Sequence, residues 1–308
     1  MAHTRVLERF APEDVDAIHV LADAVEQETG TAPFGEVTWD SLAGRGSPAD
    51  RGVFVAGDDG AARAYAHVVR HHPSEWSIEI AARPADDGAL PTLVAAASDE
   101  IAAAGGGHAT LWIHGESAPA GAIAPDFVPE RELLELRVPL PLPDPPKWPD
   151  GVQVRTFEIG RDEAEWVEVN NRAFAGHPEQ GAWTLDTIEQ RERAEWFDPD
   201  GFLLAFDDAG LAGFCWTKVH PAAPPREPVA LGEIYVIGAD PSRQGRGLGR
   251  ALTTAGLESL ANRGITVGML YVDGANTAAV ALYRSLGFVT HQVDRAYGAD
   301  VPSSPRRA

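Results

Sequence analysis

Hydrophobic and polar positions along the chain run through the same order twice. Each half opens on a short alternating segment, Thr4–Phe10 and Val152–Phe157, which predicts a strand. Apolar residues at helical spacing then predict amphipathic helices over Pro12–Thr29 and Asp162–Phe174. After a variable loop come two β-rich runs, Val53–Gly60 and Phe202–Gly210. In both, Asp-Asp followed by a Gly-containing pair marks a hairpin turn, with partner strands at Ala62–Arg70 and Leu211–His220. Further strands fall at Ser77–Ala82 and Glu233–Gly238, helices at Thr92–Ala104 and Leu248–Arg263, and strands at His108–His114 and Thr266–Val272. Matching tails, Asp126–Arg137 and Gly287–Arg295, close the halves. The second half reads β-α-β-β-β-α-β-α-β, and the first has a reduced last helix. The expected class is mixed α/β (α+β), two tandem copies of a mixed central sheet flanked by helices, each with one parallel step where a helix crosses over.

Between the halves lies Val138-Pro-Leu-Pro-Leu-Pro-Asp-Pro-Pro-Lys-Trp-Pro-Asp-Gly151. Alternating prolines remove amide donors and fix φ, so this stretch reads as an extended connector. The division expected is 1–140, a linker at 141–150, and 151–308. A length of 308 residues agrees with about two domains at roughly 150 residues each. With 25 Lys+Arg against 46 Asp+Glu, the net charge of −21 argues against nucleic acid and against an anionic membrane surface. No apolar run reaches the ~18 residues of a membrane span, and the first residues lack the apolar core of a signal peptide. The single cysteine, Cys215, can form neither an internal disulfide nor a cysteine-rich zinc site. Lys147 and Lys218 are the only lysines, which draws attention to Lys218 inside an apolar segment. A cytoplasmic, metal-free monomer is expected.

The chemistry concentrates in Gly232-Glu-Ile-Tyr-Val-Ile-Gly-Ala-Asp-Pro-Ser-Arg-Gln-Gly-Arg-Gly-Leu-Gly-Arg250. A strand runs into a Gly- and Arg-rich loop that opens a helix, a setting suited to pyrophosphate because helix N-termini offer unpaired N–H groups and partial positive charge. Arg243, Arg246 and Arg250 add local cations against the global charge. A Walker loop is excluded, because Gly249 is followed by Arg250-Ala rather than Lys-Ser/Thr. A dinucleotide fingerprint needs its glycines directly after the strand; here they come several residues late, although Asp273 falls roughly where a ribose acid could sit. A plain glycine-rich turn also fits. Glu233 shares by alternation a face with Tyr235 and Ile237, where it is either a solvent-facing residue or a proton acceptor.

Gln244-x-x-Gly247-x-Gly249 at a strand-to-helix junction resembles the coenzyme A loop of the GCN5-related N-acetyltransferase (GNAT) superfamily. The stretch Tyr271-Val-Asp-Gly-Ala-Asn276 through Tyr283 to Leu286-Gly-Phe288 resembles its second signature. The duplication, the proline-rich link, Leu231–Pro241, Phe214-Cys-Trp-Thr-Lys218-Val-His and Asn171–Gly181 are together similar to the mycothiol synthase family, over essentially the whole chain. That resemblance implies acetyl-CoA-dependent acetylation of the cysteinyl amine of cysteinyl-glucosaminyl-inositol, by direct transfer in a ternary complex. It implies Glu233 as base and Tyr283 as acid. Coenzyme contacts would come from Ile237, Gly238 and Ala239, from Gln244, Gly245, Arg246, Gly247, Leu248, Gly249 and Arg250, and from Asn276, Thr277, Ala278, Ala279, Val280 and Ala281. Substrate contacts would come from Glu36, Glu179, Lys218, Glu233 and Tyr271. Taken alone, Glu36 and Glu179 read as solvated loop carboxylates, and for Tyr283 a tyrosine merely packed on a helix face competes with the acid role.

The first half departs from the pattern. After Ile80-Ala81-Ala82-Arg-Pro comes Ala-Asp-Asp-Gly, with no Gln-x-x-Gly-x-Gly, and His114-Gly-Glu-Ser replaces the Asn-to-Tyr helix. The resemblance implies a catalytically silent first domain able to hold a second acetyl-CoA at Ile80, Ala81 and Ala82, while the missing loop argues for a structural role. Two other readings compete for the whole: an acetyltransferase acting on an aminoglycoside or a protein N-terminus, and a non-enzymatic coenzyme A-binding module.

Overall fold

The computed structural model describes residues 3–56, 62–115, 123–175, 182–224 and 227–304. The chain divides into two compact units, one of Met1–Leu134, Asp273–Ala275 and Gln292–Ala308, the other of Glu135–Val272 and Asn276–His291. The proline-rich stretch is therefore not a simple boundary between 1–140 and 151–308. The closing segments are exchanged: residues 135–140 belong with the second unit and residues 292–301 with the first.

In the first unit, β1 (His3–Leu7), β2 (Arg51–Ala56), β3 (Ala62–His72) and β4 (Glu75–Ala82) pair in that order, all antiparallel. Helix α3 (Leu90–Ala103) then crosses over to β5 (Gly107–Ile113), which runs parallel to β4. Residues Arg295–Val301 of β12 (Val289–Val301) pair antiparallel with β5. Helix α1 (Pro12–Thr29) starts on a proline, whose missing N–H costs nothing there, and stops at Gly30 with φ 77°. Its stripe of Ile18, Leu21, Ala22 and Val25 packs with Phe34, Phe54 and Tyr65. Leu93, Ala97 and Ile101 of α3 pack separately with Val53, Val68, Ile78 and Leu111. The short α2 (Glu36–Asp40) lies between α1 and β2, where the sequence pattern predicts only a variable loop.

In the second unit, β7 (Gln153–Thr156), β8 (Phe202–Asp207), β9 (Gly210–His220) and β10 (Leu231–Ala239) pair antiparallel in that order. Helix α6 (Leu248–Asn262) crosses to β11 (Val267–Asp273), parallel to β10. Helices α4 (Glu163–Ala173), α5 (Leu185–Glu192) and α7 (Thr277–Ser285) complete it, and β6 (Val128–Pro139) contributes its last residues. A Thr184–Thr187 capping box starts α5. Beside α4 lies an aromatic core: the Phe202 and Trp216 rings stack at 4.6 Å, and Trp166 meets Phe202, Phe214 and Trp216 edge-on at 5.3–6.0 Å.

A buried ionic cluster fixes the exchanged strand in the first unit. Glu79 Oε1 and Asp294 Oδ2 lie 3.0 Å from opposite ring nitrogens of His114. The Gly35 N–H donates to Glu79, and the Gly115 N–H and Gln292 amide donate to Asp294. Burial alone would lower the His114 pKa; the hydrogen bonds and charges of Asp294 and Glu79 outweigh it and push it up to about 10. Burial would likewise raise Glu79 and Asp294, but hydrogen bonding to His114 and its charge hold both below the usual carboxylate range.

The native state thus keeps an imidazole proton that the unfolded chain loses above pH 6.5. Stability from His114 is complete below that pH and declines as pH rises toward about 10, whereas the carboxylates lose theirs in acid. The thermal unfolding midpoint of the first unit is expected to be highest at about pH 5–6 and to fall toward alkaline pH. His114→Gln should flatten that alkaline slope. Melting curves from pH 5 to 10 that fall as steeply for the variant as for the wild type would contradict the assignment.

Candidate active site

Strand β10 organises the site. Its parallel register with β11 covers Leu231↔Val267, Gly232↔Gly268 and Glu233↔Met269, and stops there. Against β9 it stays paired as far as Ala239↔Gly213. From Ile234 onward β10 therefore carries a β11-side edge outside that parallel register, the same edge on which Ile237, Gly238 and Ala239 lie. Amides on such an edge are available to a ligand.

A bulge at Tyr235 corrects the expected alternation. Register against β9 runs Ile234↔Thr217, then Val236↔Trp216, so Tyr235 is an extra residue. Tyr235 and Val236 consequently both pack on the aromatic core. Beyond the bulge the phase is reversed. Ile237 pairs with Cys215, whose Sγ faces α6 at Gly256, so Ile237 does not share a face with Glu233 as strict alternation predicts. Glu233 stands opposite Lys218 and beside Met269, on the face away from α6. By the same register His220 and Tyr271 lie on that face too. Three of the expected substrate residues, Lys218, Glu233 and Tyr271, are thereby gathered. The Lys218 ammonium sits over the rings of Trp196 (4.6 Å) and Tyr235 (5.3 Å). Tyr271 is 46% exposed, whereas Glu233 is buried. His220, which sequence reasoning passes over, places Nε2 2.7 Å from Glu233 Oε2.

Tyr283 lies on α7, buried, with its ring against Phe288. Burial pushes its hydroxyl pKa well up, and Cys215 adds to the shift. The phenol therefore keeps its proton at neutral pH. Burial also pushes the Cys215 thiol far up, out of the range in which a thiolate forms.

At the end of β10, Asp240 ties down the loop. It accepts from the Ser242 N–H (2.9 Å) and hydroxyl (2.5 Å) and from Arg172 Nε (3.0 Å), which holds its pKa far below the usual carboxylate range. Arg243 is committed to Asp207 (3.3 Å) and Asp240 (3.4 Å), a structural role where the sequence suggests phosphate-facing charge. Gln244, Gly245, Arg246 and Gly247 are exposed, Leu248 is buried, and Arg250 donates to Ser285. Gly245 and Gly247 have φ of 78° and 85°, and a Cβ at either position would meet no other atom within 4 Å. Gly247 is the N-cap of α6, with no side chain capping the helix and no acid in its first turn. This donor set suits a pyrophosphate: uncapped N–H groups, a positive helix end, Arg246 and Arg250 nearby, and glycines leaving space. Asn276 caps α7 through the Ala279 N–H at 3.2 Å, so its side chain has a structural use. Thr277, Ala278 and Ala281 are exposed, Ala279 is half-buried and Val280 is buried.

The first unit repeats the strand geometry without the loop. Parallel pairing of β4 with β5 ends at Glu79↔Trp112, and Ile80, Ala81 and Ala82 continue paired to β3. Ile80 and Ala82 line a cavity of ≈ 200 Å³ with Pro84, Asp87, Leu90 and His114. The turn that follows, Pro84–Ala89, carries Asp86 and Asp87 where the second unit has glycine and arginine. Glu36 opens α2 in this unit and is exposed. Glu179 lies outside the described residues.

A strand that leaves its parallel neighbour and feeds a glycine-rich loop at an uncapped helix defines the second unit as a GNAT acetyltransferase, and residues 165–288 match the Acetyltransferase (GNAT) family. The fold is shared over 99% of this chain and 97% of the other with a GCN5-related N-acetyltransferase from Sphaerobacter thermophilus (TM-score 0.77, 25% identity). It is shared also with a tandem GNAT protein from the clavulanic acid biosynthesis pathway (TM-score 0.71, 18% identity, 98% and 100% coverage). In sequence the chain is 42% identical over 296 residues to the mycothiol acetyltransferase of Thermobispora bispora, covering 95% of this chain and 98% of that protein. It belongs to the mycothiol acetyltransferase family and is an N-acetyltransferase.

Because Gly247 occupies the left-handed region, an L side chain there costs roughly 1–2 kcal/mol. Gly247→Ala is expected to weaken coenzyme A binding about ten-fold in calorimetric titration. Unchanged affinity would mean that the loop does not hold the ligand.

Proposed function

We propose that the chain acetylates the cysteinyl amine of cysteinyl-glucosaminyl-inositol by direct transfer from acetyl-CoA. The observation that supports this most is the course of β10. One strand carries a buried carboxylate where its parallel pairing ends, then an edge of backbone amides, then the anion-suited loop.

Acetyl-CoA, when bound, supplies an activated acetyl thioester. The α6 N-terminus, Gln244–Gly249, Arg246 and Arg250 would hold its phosphates, and the first turn of α7 would flank it. Amides of Ile237–Ala239 would hold a carbonyl oxygen and make it electrophilic. Glu233 would take the proton that makes the acceptor amine nucleophilic, and Tyr283 would protonate the departing thiolate. Lys218 and Tyr271, on the Glu233 face, would meet substrate hydroxyls; a cationic amine with many hydroxyls is well matched to carboxylates and donors. Glu36 and Glu179 join the substrate set on the family resemblance. The buried, high-pKa Cys215 supports transfer without an acyl-enzyme. The acidic turn after Ala82 supports a first unit without its own chemistry.

Acetyl transfer from acetyl-CoA should be measured with cysteinyl-glucosaminyl-inositol, an aminoglycoside and a peptide N-terminus as acceptors. Preference for either of the last two would replace the substrate assignment. Glu233→Gln should reduce kcat on the order of 10²–10⁴-fold while retaining acetyl-CoA binding. Cys215→Ser should stay active, and a folded but inactive variant would refute direct transfer.

A further inference from the structure

Glu233 is not alone on its face. His220 ends β9, opposite Leu231 and diagonal to Glu233 across the strand pair. In this geometry diagonal side chains reach one another, and Nε2 and Oε2 are 2.7 Å apart. The Glu233 side chain is 9% exposed and that of His220 36%. An ionised carboxylate only accepts hydrogen bonds, so the imidazole Nε2–H is the donor. One carboxylate oxygen is then engaged, leaving Oε1 for the amine.

We infer that His220 is the positioning residue for Glu233: it fixes the carboxylate rotamer and dedicates Oε1 to proton abstraction. This rests on the reading of Glu233 as the base. A glutamate side chain has three rotatable bonds, and a displacement of about 1 Å at a catalytic group costs on the order of 10²-fold in rate. The other charged residue opposite Glu233 does not fill this role, because the Lys218 ammonium sits over the Trp196 and Tyr235 rings. A fixed base needs a directional donor. The strand-end location of His220 also makes it replaceable, since its side chain belongs to no apolar core.

Five enzymes assayed with acetyl-CoA and cysteinyl-glucosaminyl-inositol test this: wild type, His220→Ala, His220→Gln, Glu233→Gln and the double variant His220→Ala/Glu233→Gln. His220→Ala is expected to lower kcat about ten- to hundred-fold with the KM for acetyl-CoA unchanged. His220→Gln, whose amide N–H can stand near the Nε2 position, should recover most of that loss. In the double variant His220→Ala/Glu233→Gln, kcat should be no lower than in Glu233→Gln alone, because there is no longer a base to position. A wild-type kcat for His220→Ala beside a crippled Glu233→Gln overturns the role of His220 and leaves the base assigned. Additive losses in the double variant, or no rescue by glutamine, overturn it equally. Near-wild-type turnover by Glu233→Gln, or no turnover of this acceptor by any of the five, overturns the proposed function and this inference with it.

Discussion

The second unit depends on how closely α6 lies on β9 and β10. A Cβ at Gly213 would stand 2.9 Å from Leu252, one at Gly232 2.8 Å from Leu260, and one at Gly256 closer still to the Cys215 sulfur. Those separations are shorter than carbon atoms tolerate, so a side chain at any of the three would push these neighbours away and loosen the contact. Leu248, Leu252, Leu257 and Leu260 fill the space and are all buried. Apolar packing, rather than attraction between charges, thus decides where the positive end of α6 stands. Asp240 secures the strand end from which the loop departs.

Around that contact, the strand changes face partway along its length. Up to Ile234 the residues that point away from α6 include Glu233; after the extra residue at Tyr235, the phase is inverted. The bulge and the early end of β11 pairing separate the Glu233 face from the stretch Ile237–Ala239. The charge distribution follows the same division. The chain as a whole is strongly acidic, but around the loop Asp207 and Asp240 engage Arg243 and leave the first turn of α6 without a carboxylate.

Much of this was legible in the residues. Element order followed from apolar periodicity, and the two-residue Asp208-Ala209 turn joins β8 to β9 as the Asp-Asp pattern predicts. The anion-suited loop was readable because glycine spacing and helix onset are local properties. What escaped was non-local. A bulge is defined by a partner strand, so strict alternation misassigned the face of Ile237. His220 acquires its meaning only through the register that brings it diagonal to Glu233. Arg243 looked like any loop cation until Asp207, on another strand, was placed beside it. The short helices α2 and α5 lie in stretches too brief to show a period. The Glu79–His114–Asp294 cluster joins a residue inside β4, one just past β5 and one inside β12, and no spacing rule connects them.

The exchange of closing strands bears on how such a chain comes to be built. The first unit is translated first, yet the segment that pairs with its β5 edge, Arg295–Val301, leaves the ribosome only after the whole second unit has been made. Until then that edge offers unpaired backbone groups, the kind of surface on which chains pair with the wrong partner. A buried ion cluster centred on His114 awaits the same segment, since Asp294 arrives with it. Gene duplication ordinarily yields two domains that can be separated again. Here part of each closing strand belongs to the other unit, so neither unit is complete until the whole chain has been made.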